Sequence, residues 1–209
     1  MFTFEKIAIN DVEVHLMFYK DFPIDEHLHN LLPKELDKLA TFSHPNRRRE
    51  YVATRVLRTT KFGNDEILYN SIGAPYIEGE GYISISHSTN VVGLAFCKHH
   101  AVGLDLEPIR EKVHRVKHKF LSEKEKASLD LDSTEEMIKV WSAKEALYKL
   151  AGRKEIIFAK QLLLHKIDDE NWIGNIINPF LTRRVEMKIL THKDFVISVN
   201  AEAYFDYDN

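Results

Sequence analysis

The sequence predicts an α+β fold in which two related units pack together, sheet against sheet. Three observations point to it. Short runs with a period of two, the mark of half-buried strands, alternate with longer runs that carry helical spacing. The two longest helical runs echo each other: Tyr51-Val52-Ala53-Thr54-Arg55 leads to Gly63 at the spacing by which Val140-Trp141-Ser142-Ala143-Lys144 leads to Gly152. No low-complexity tract or linker separates the two stretches, and the 209 residues, 44% hydrophobic, suffice for two small cores in contact.

In chain order, alternation at Val12, Val14, Leu16 and Phe18 predicts a strand. Leu31 to Leu39 reads as a short helix entered near Pro33, and Arg47 to Phe62 as a longer one stopped by Gly63. Strands are expected around Ile67-Leu68-Tyr69, Tyr82 to Ser86 and Val91 to Phe96, punctuated by Gly73, Pro75, Gly79 and Gly81. A second series begins near His99-His100. It has a strand from Val102 to Glu107, helices from Ser122 to Leu129 and Thr134 to Leu150, and strands at Ile156-Ile157-Phe158, Val185 to Leu190 and Phe195 to Val199.

A formal net charge of -3 with 29% charged residues argues against a nucleic-acid protein, which shows a basic excess. No apolar stretch reaches the roughly 18 residues of a spanning helix, and Met1 to Glu5 do not open a signal peptide. The lone Cys97 excludes an intrachain disulfide and a cysteine-based zinc cage. Cys97 with His99 and His100 makes a poor zinc set, because adjacent histidines on an extended chain face opposite ways. The expectation is a soluble, cytoplasmic protein.

Three segments carry candidate chemistry. In Val102-Gly103-Leu104-Asp105-Leu106-Glu107, strand alternation sets Asp105 and Glu107 side by side on one face. Their mutual repulsion is relieved by a hard cation such as magnesium, or by solvent if this is an acidic edge strand; taken alone, the strand favours the second. In Trp141 to Lys149, helical spacing aligns Trp141, Glu145 and Lys149 on one face, either as an ordinary core-and-surface pattern or as a third carboxylate for the same ion. Ile83-Ser84-Ile85-Ser86-His87-Ser88 runs a strand into small hydrogen-bonding groups that suit a phosphate, or form a Ser-rich turn. A Ser/His nucleophile pair is disfavoured, since Ser86 and His87 point apart on a strand and no Gly-x-Ser-x-Gly elbow is present.

Together and in this order, the segments resemble the 4'-phosphopantetheinyl transferases. The family's hydrophobic-Gly-hydrophobic-Asp-x-Glu strand is matched by Val102 to Glu107, and its Trp/Phe-Ser-x-Lys-Glu-Ala/Ser-x-x-Lys helix by Trp141 to Lys149. Its Asn-x-Ser-His-Ser element corresponds to Ser84 to Ser88, with serine for asparagine, and its Arg-rich helix to Arg48-Arg49-Glu50-Tyr51 through Arg55. The usual Gly-Lys/Arg-Pro is Gly73-Ala74-Pro75 here, so one basic contact to the coenzyme is missing or replaced.

The resemblance, with the chain's length, implies the larger, two-halved, surfactin-synthetase-activating class. Such a chain is a monomeric pseudo-dimer of two similar α/β halves, each an antiparallel sheet with a packed helix. The N-terminal half, 1–100, would carry coenzyme-binding elements and the C-terminal half, 101–209, the metal-binding and catalytic motifs. By the same resemblance Asp105, Glu107 and Glu145 hold Mg2+ (with Mn2+ as a substitute), and coenzyme A is the co-substrate. Glu145 doubles as base, with Glu125 or a metal-bound water as alternatives, while Lys149 assists the leaving 3',5'-ADP. Arg49, Ser86 and His87, with Arg48 a close second, are implied for the 3'-phosphate, and Lys34 and Lys38 are weaker candidates for phosphate binding. Arg110, Lys112, Arg115, Lys117 and Lys119 either form a solvated helix or loop or, as in the family, dock an acidic apo acyl or peptidyl carrier protein; no nucleic acid or membrane partner is expected. A magnesium-dependent phosphohydrolase acting on coenzyme A or a nucleotide, and a non-catalytic coenzyme-binding protein, are the competing readings.

Overall fold

The computed structural model describes residues 2–152 and 155–208, organised by two six-stranded antiparallel sheets. Met1 and Asn209, the outer ends of the two expected halves, lie outside the described residues. The first sheet contains β1 (Phe2–Ile9), β2 (Val12–Tyr19), β3 (Leu68–Tyr69), β4 (Pro75–Ile77), β5 (Gly81–Ser88) and β6 (Val91–Cys97). Between β2 and β3 the chain forms α1 (Pro33–Ala40) and α2 (Pro45–Phe62). The second sheet contains β7 (Leu104–Pro108), β8 (Leu162–Lys166), β9 (Asn171–Ile177), β10 (Leu181–His192), β11 (Phe195–Asn200) and β12 (Phe205–Asp208). Between β7 and β8 run α3 (Lys117–Phe120), α4 (Glu123–Ser128), α5 (Thr134–Leu150) and α6 (Phe158–Gln161).

The strand orders are β1-β2-β6-β5-β4-β3 and β7-β11-β10-β9-β8, with β12 added beside β10. Without the hairpin partner β1, the first order becomes β2-β6-β5-β4-β3, the same path as the second. The expected pseudo-dimer of α/β halves is therefore present, with α2 corresponding to α5.

One buried device recurs in both halves. Glu35, in the first turn of α1, accepts from the Leu32 amide at 3.0 Å and from Arg55 Nε on α2 at 3.0 Å. Glu125, in the first turn of α4, accepts from the Ser122 amide at 2.7 Å and from Lys144 Nζ on α5 at 2.8 Å. Arg55 and Lys144 are the aligned positions of the sequence echo. A capping carboxylate closes a short helix and at the same time anchors the long helix. Burial pushes the Lys144 ammonium down, opposed by Glu125.

The halves meet face to face. Val12, Val14 and Leu16 of β2 and Ala95 of β6 pack with Leu104 and Leu106 of β7 and Ile197 and Val199 of β11. Contact is close enough that a Cβ on Gly93 would come within 2.8 Å of Leu106 Cδ1. The other face of β2 turns to α2, where Glu13 accepts from Lys6 Nζ at 2.8 Å and Lys61 Nζ at 2.5 Å. Those ammonium groups hold its carboxyl at about 2.

Most expected elements are found, and α5 has the expected bounds. One expectation is overturned: Ile156-Ile157-Phe158 is not a strand, and Phe158–Gln161 is a helical turn. The Gln161 side chain accepts from the Ile157 amide at 2.8 Å, and Phe158 stacks on Trp141 with ring centroids 5.6 Å apart. Ile156 and Phe158 thus pack against the core around α5 instead of joining a sheet, while Ile157 is exposed. Strands β1, β4, β8, β9 and β12 were not expected from sequence. Among the described residues no helix is long and apolar enough to cross a membrane.

Candidate active site

Strand β7 is the edge of the second sheet. Its Leu104 and Leu106 face the seam between the sheets, so Gly103, Asp105 and Glu107 turn toward α5 as alternation predicts. Helix α5 lies so near that a Cβ on Gly103 would stand 2.4 Å from the Ala146 carbonyl oxygen. The glycine of the motif is thus required by packing.

An edge strand has outward amides to satisfy, and β5 satisfies them with serine hydroxyls. Leu104 N–H donates to Ser84 Oγ at 2.9 Å and Leu106 N–H to Ser86 Oγ at 3.2 Å. Ser86 in turn donates to Asp105 Oδ1 at 3.1 Å. Lys149, from α5, reaches the same oxygen at 3.0 Å and the Leu104 carbonyl at 2.5 Å. Asp105 is only 6% exposed, and its Oδ2 is buried without a hydrogen-bond partner. Glu107 accepts from Trp141 Nε1 at 2.9 Å. Burial, and next the charge of Asp105, push the Glu107 carboxyl above the usual carboxylate range.

An orphaned buried carboxylate oxygen beside a carboxylate resisting ionisation fits a hard dication. Magnesium in particular takes one or two carboxylates and completes its shell with water and phosphate oxygens. Glu145 is half-buried on α5, between Trp141 and Lys149. Among the described residues no three His, Cys, Asp or Glu side chains stand together as a metal-holding group. The expected three-carboxylate set is therefore not ready-made; Lys149 sits on Asp105 instead.

The basic residues distribute differently from the expectation. A cavity of about 710 Å³ between α1, α2 and β5 is lined by Lys34, Lys38, Arg47, Glu50, Tyr51 and His87, among others. His87 Nδ1 lies 3.9 Å from Glu50 Oε2. Glu50 also lines a second cavity of about 280 Å³, with Arg49 and Ser88. Arg48 lines neither; its guanidinium donates to the Leu39 carbonyl at 2.9 Å and bridges α1 to α2. Ser86 is 5% exposed, with its hydroxyl bonded to β7 across the seam. Neighbours on β5, Ser86 and His87 point apart: one reaches Asp105, the other lines the larger cavity.

Arg47, which lines the larger cavity, was not among the sequence candidates; it stands in the first turn of α2, a helix start with no acidic residue and a positive dipole end. Glu125, expected as an alternative base, is 2% exposed and engaged by the Ser122 amide, Lys144 and the Leu164 amide. Downstream of β7, Arg110, Lys112, Arg115 and Lys119 are exposed, Arg110 donating to Thr89 Oγ1 at 3.0 Å, while Lys117 is partly buried and donates to the Leu131 carbonyl at 2.8 Å.

Fold and site together define a two-halved α+β protein whose acidic edge strand is buried at the junction of the halves. Residues 101–199, which contain that strand and α5, match the family model of the 4'-phosphopantetheinyl transferase superfamily. No curated protein matches the chain.

Proposed function

We propose that the protein transfers the 4'-phosphopantetheine group of coenzyme A to a serine of an apo acyl or peptidyl carrier protein, giving holo carrier and 3',5'-ADP. The observation that carries this reading is Asp105 with its orphaned Oδ2 beside Glu107, in the segment that matches the superfamily. The subclass read from length, a monomeric two-halved enzyme working in the cytoplasm, goes with it, as does a division into a coenzyme-binding half, 1–100, and a catalytic half, 101–209.

In this reading Asp105 and Glu107, joined by Glu145, would hold Mg2+. When bound, the ion supplies charge neutralisation at the pyrophosphate of coenzyme A. The serine oxygen of the carrier forms a bond to the β-phosphorus as the bond from that phosphorus to the oxygen of 3',5'-ADP breaks. Glu145 takes the serine proton, and the Lys149 ammonium neutralises or protonates the departing phosphate. Lys38, Arg49 and His87, with Arg47 and Lys34 in place of the basic residue missing at Ala74, bind the coenzyme's phosphates through charge-assisted contacts. The exposed cations from Arg110 to Lys119 receive the acidic carrier.

Intact-mass spectrometry tests the reading. Apo acyl and peptidyl carriers incubated with the protein, coenzyme A and Mg2+ should each gain one phosphopantetheine, and the gain should vanish with EDTA. Asp105→Ala and Glu145→Ala should abolish it while the fold persists. Coenzyme A consumed without any carrier gain would indicate a phosphohydrolase and overturn the proposal.

A further inference from the structure

Asp105 has two chemically unlike oxygens. Oδ1 takes the Ser86 hydroxyl at 3.1 Å and the Lys149 ammonium at 3.0 Å, whereas Oδ2 is buried and unpartnered. A carboxylate free to rotate about its last torsion would share its oxygens between these environments. Here rotation is opposed from the other half of the protein, because Ser86 is itself fixed by accepting the Leu106 amide at 3.2 Å. The hydroxyl thus has both its donor and an acceptor function committed across the seam, and it closes a small ring through the Asp105 side chain and the β7 backbone.

We propose that Ser86 is a positioning residue: it pins Asp105 Oδ1 so that Oδ2 is the oxygen presented to the divalent cation. The proposal rests on the reading of Asp105 and Glu107 as a cation-holding pair. It gives the N-terminal half a direct hand in the metal chemistry of the C-terminal half, and it gives the serine a role other than phosphate contact.

Ser84 supplies the control. It makes the same kind of bond to the same strand edge, accepting the Leu104 amide at 2.9 Å, and no hydrogen bond joins it to Asp105. Loss of either hydroxyl leaves one outward amide of β7 without its acceptor, so both variants should lose stability to a similar degree. Only Ser86→Ala should alter cation binding, by the roughly 10- to 100-fold loss of affinity typical when the partner of a metal ligand is removed.

The experiment is an electron-paramagnetic-resonance titration of the full chain with Mn2+, in the presence of coenzyme A and without carrier, so that no turnover intervenes. The expected result is a weakened affinity in Ser86→Ala, near-native affinity in Ser84→Ala, and recovery in Ser86→Thr, which restores the hydroxyl. Should Ser86→Ala not fold, Ser86→Cys keeps the volume with a weaker donor and is read in the same titration. Equal affinities in the Ser84 and Ser86 variants would overturn the proposal while leaving the cation reading intact. Failure of the wild-type protein to bind Mn2+ would overturn the cation reading first, and this proposal with it.

Discussion

At the scale of single residues, the candidate site is a set of conflicts held in place by neighbours. Asp105 and Glu107 share a face, and both lie largely out of solvent. Replacing Glu107 with Gln keeps an acceptor for Trp141 and removes a charge that burial and Asp105 both disfavour. Glu107→Gln should therefore raise the melting temperature in the absence of cation, by the equivalent of about 1 kcal/mol, while carrier modification is lost. A scanning calorimeter and the mass assay read the two effects separately. The pairing of Asp105 with Glu107 was legible from strand alternation, and that of Trp141 with Lys149 from helical spacing. Other roles were not. Neither the seam bonds of Ser86 nor the ion pair of Glu125 could be read, because a sequence does not show what a side chain meets after the chain folds back. Both are engaged by partners 19 or more residues away.

At the scale of elements, two contacts set where the site forms. The first is the close approach of α5 to β7 at Gly103. Gly103→Ala would drive a methyl against the Ala146 carbonyl, and the resulting shift should cost about 1–3 kcal/mol and lower activity by moving Lys149 off Asp105. Chemical denaturation and the transfer assay check this. The second is the buried Lys144–Glu125 pair. Lys144→Ala leaves a carboxylate at 2% exposure without its cation, which should cost about 3–5 kcal/mol. The double change Lys144→Met with Glu125→Gln should recover much of that loss in the same denaturation experiment. Helices were the most legible elements, since α2 and α5 carry long periodic patterns and end at Gly63 and Gly152. Ile156-Ile157-Phe158 misled because a short apolar triplet has no period of its own, and its fate was decided by the open flank of α5.

At the scale of the whole molecule, the two-unit architecture was foreshadowed by the echo around Arg55 and Lys144, whereas the edge strands β1 and β12 left no clear pattern. Stability is shared between the units. Glu13 ties β1, β2 and α2, and its carboxyl stands at about 2 against an ordinary 4.5. A depressed carboxyl stabilises the fold above its unfolded value and loses that contribution as pH falls through the folded value. Wild type and Glu13→Gln should therefore differ in stability at neutral pH and converge between about pH 4.5 and 2, as acid-titrated thermal melts would report. Reversing the charges of Arg110, Lys112, Arg115 and Lys119 should slow modification of the carrier while leaving the affinity for coenzyme A unchanged, which stopped-flow and calorimetric measurements would separate. The matching strand paths also carry a consequence for stoichiometry. Strand β2 is the counterpart of β7, and its helix-facing carboxylate, Glu13, already has Lys6 and Lys61 as permanent counter-ions. The repeat is thus symmetric in backbone and asymmetric in charge, and a cation titration should saturate at one equivalent per chain, with a Hill coefficient of one.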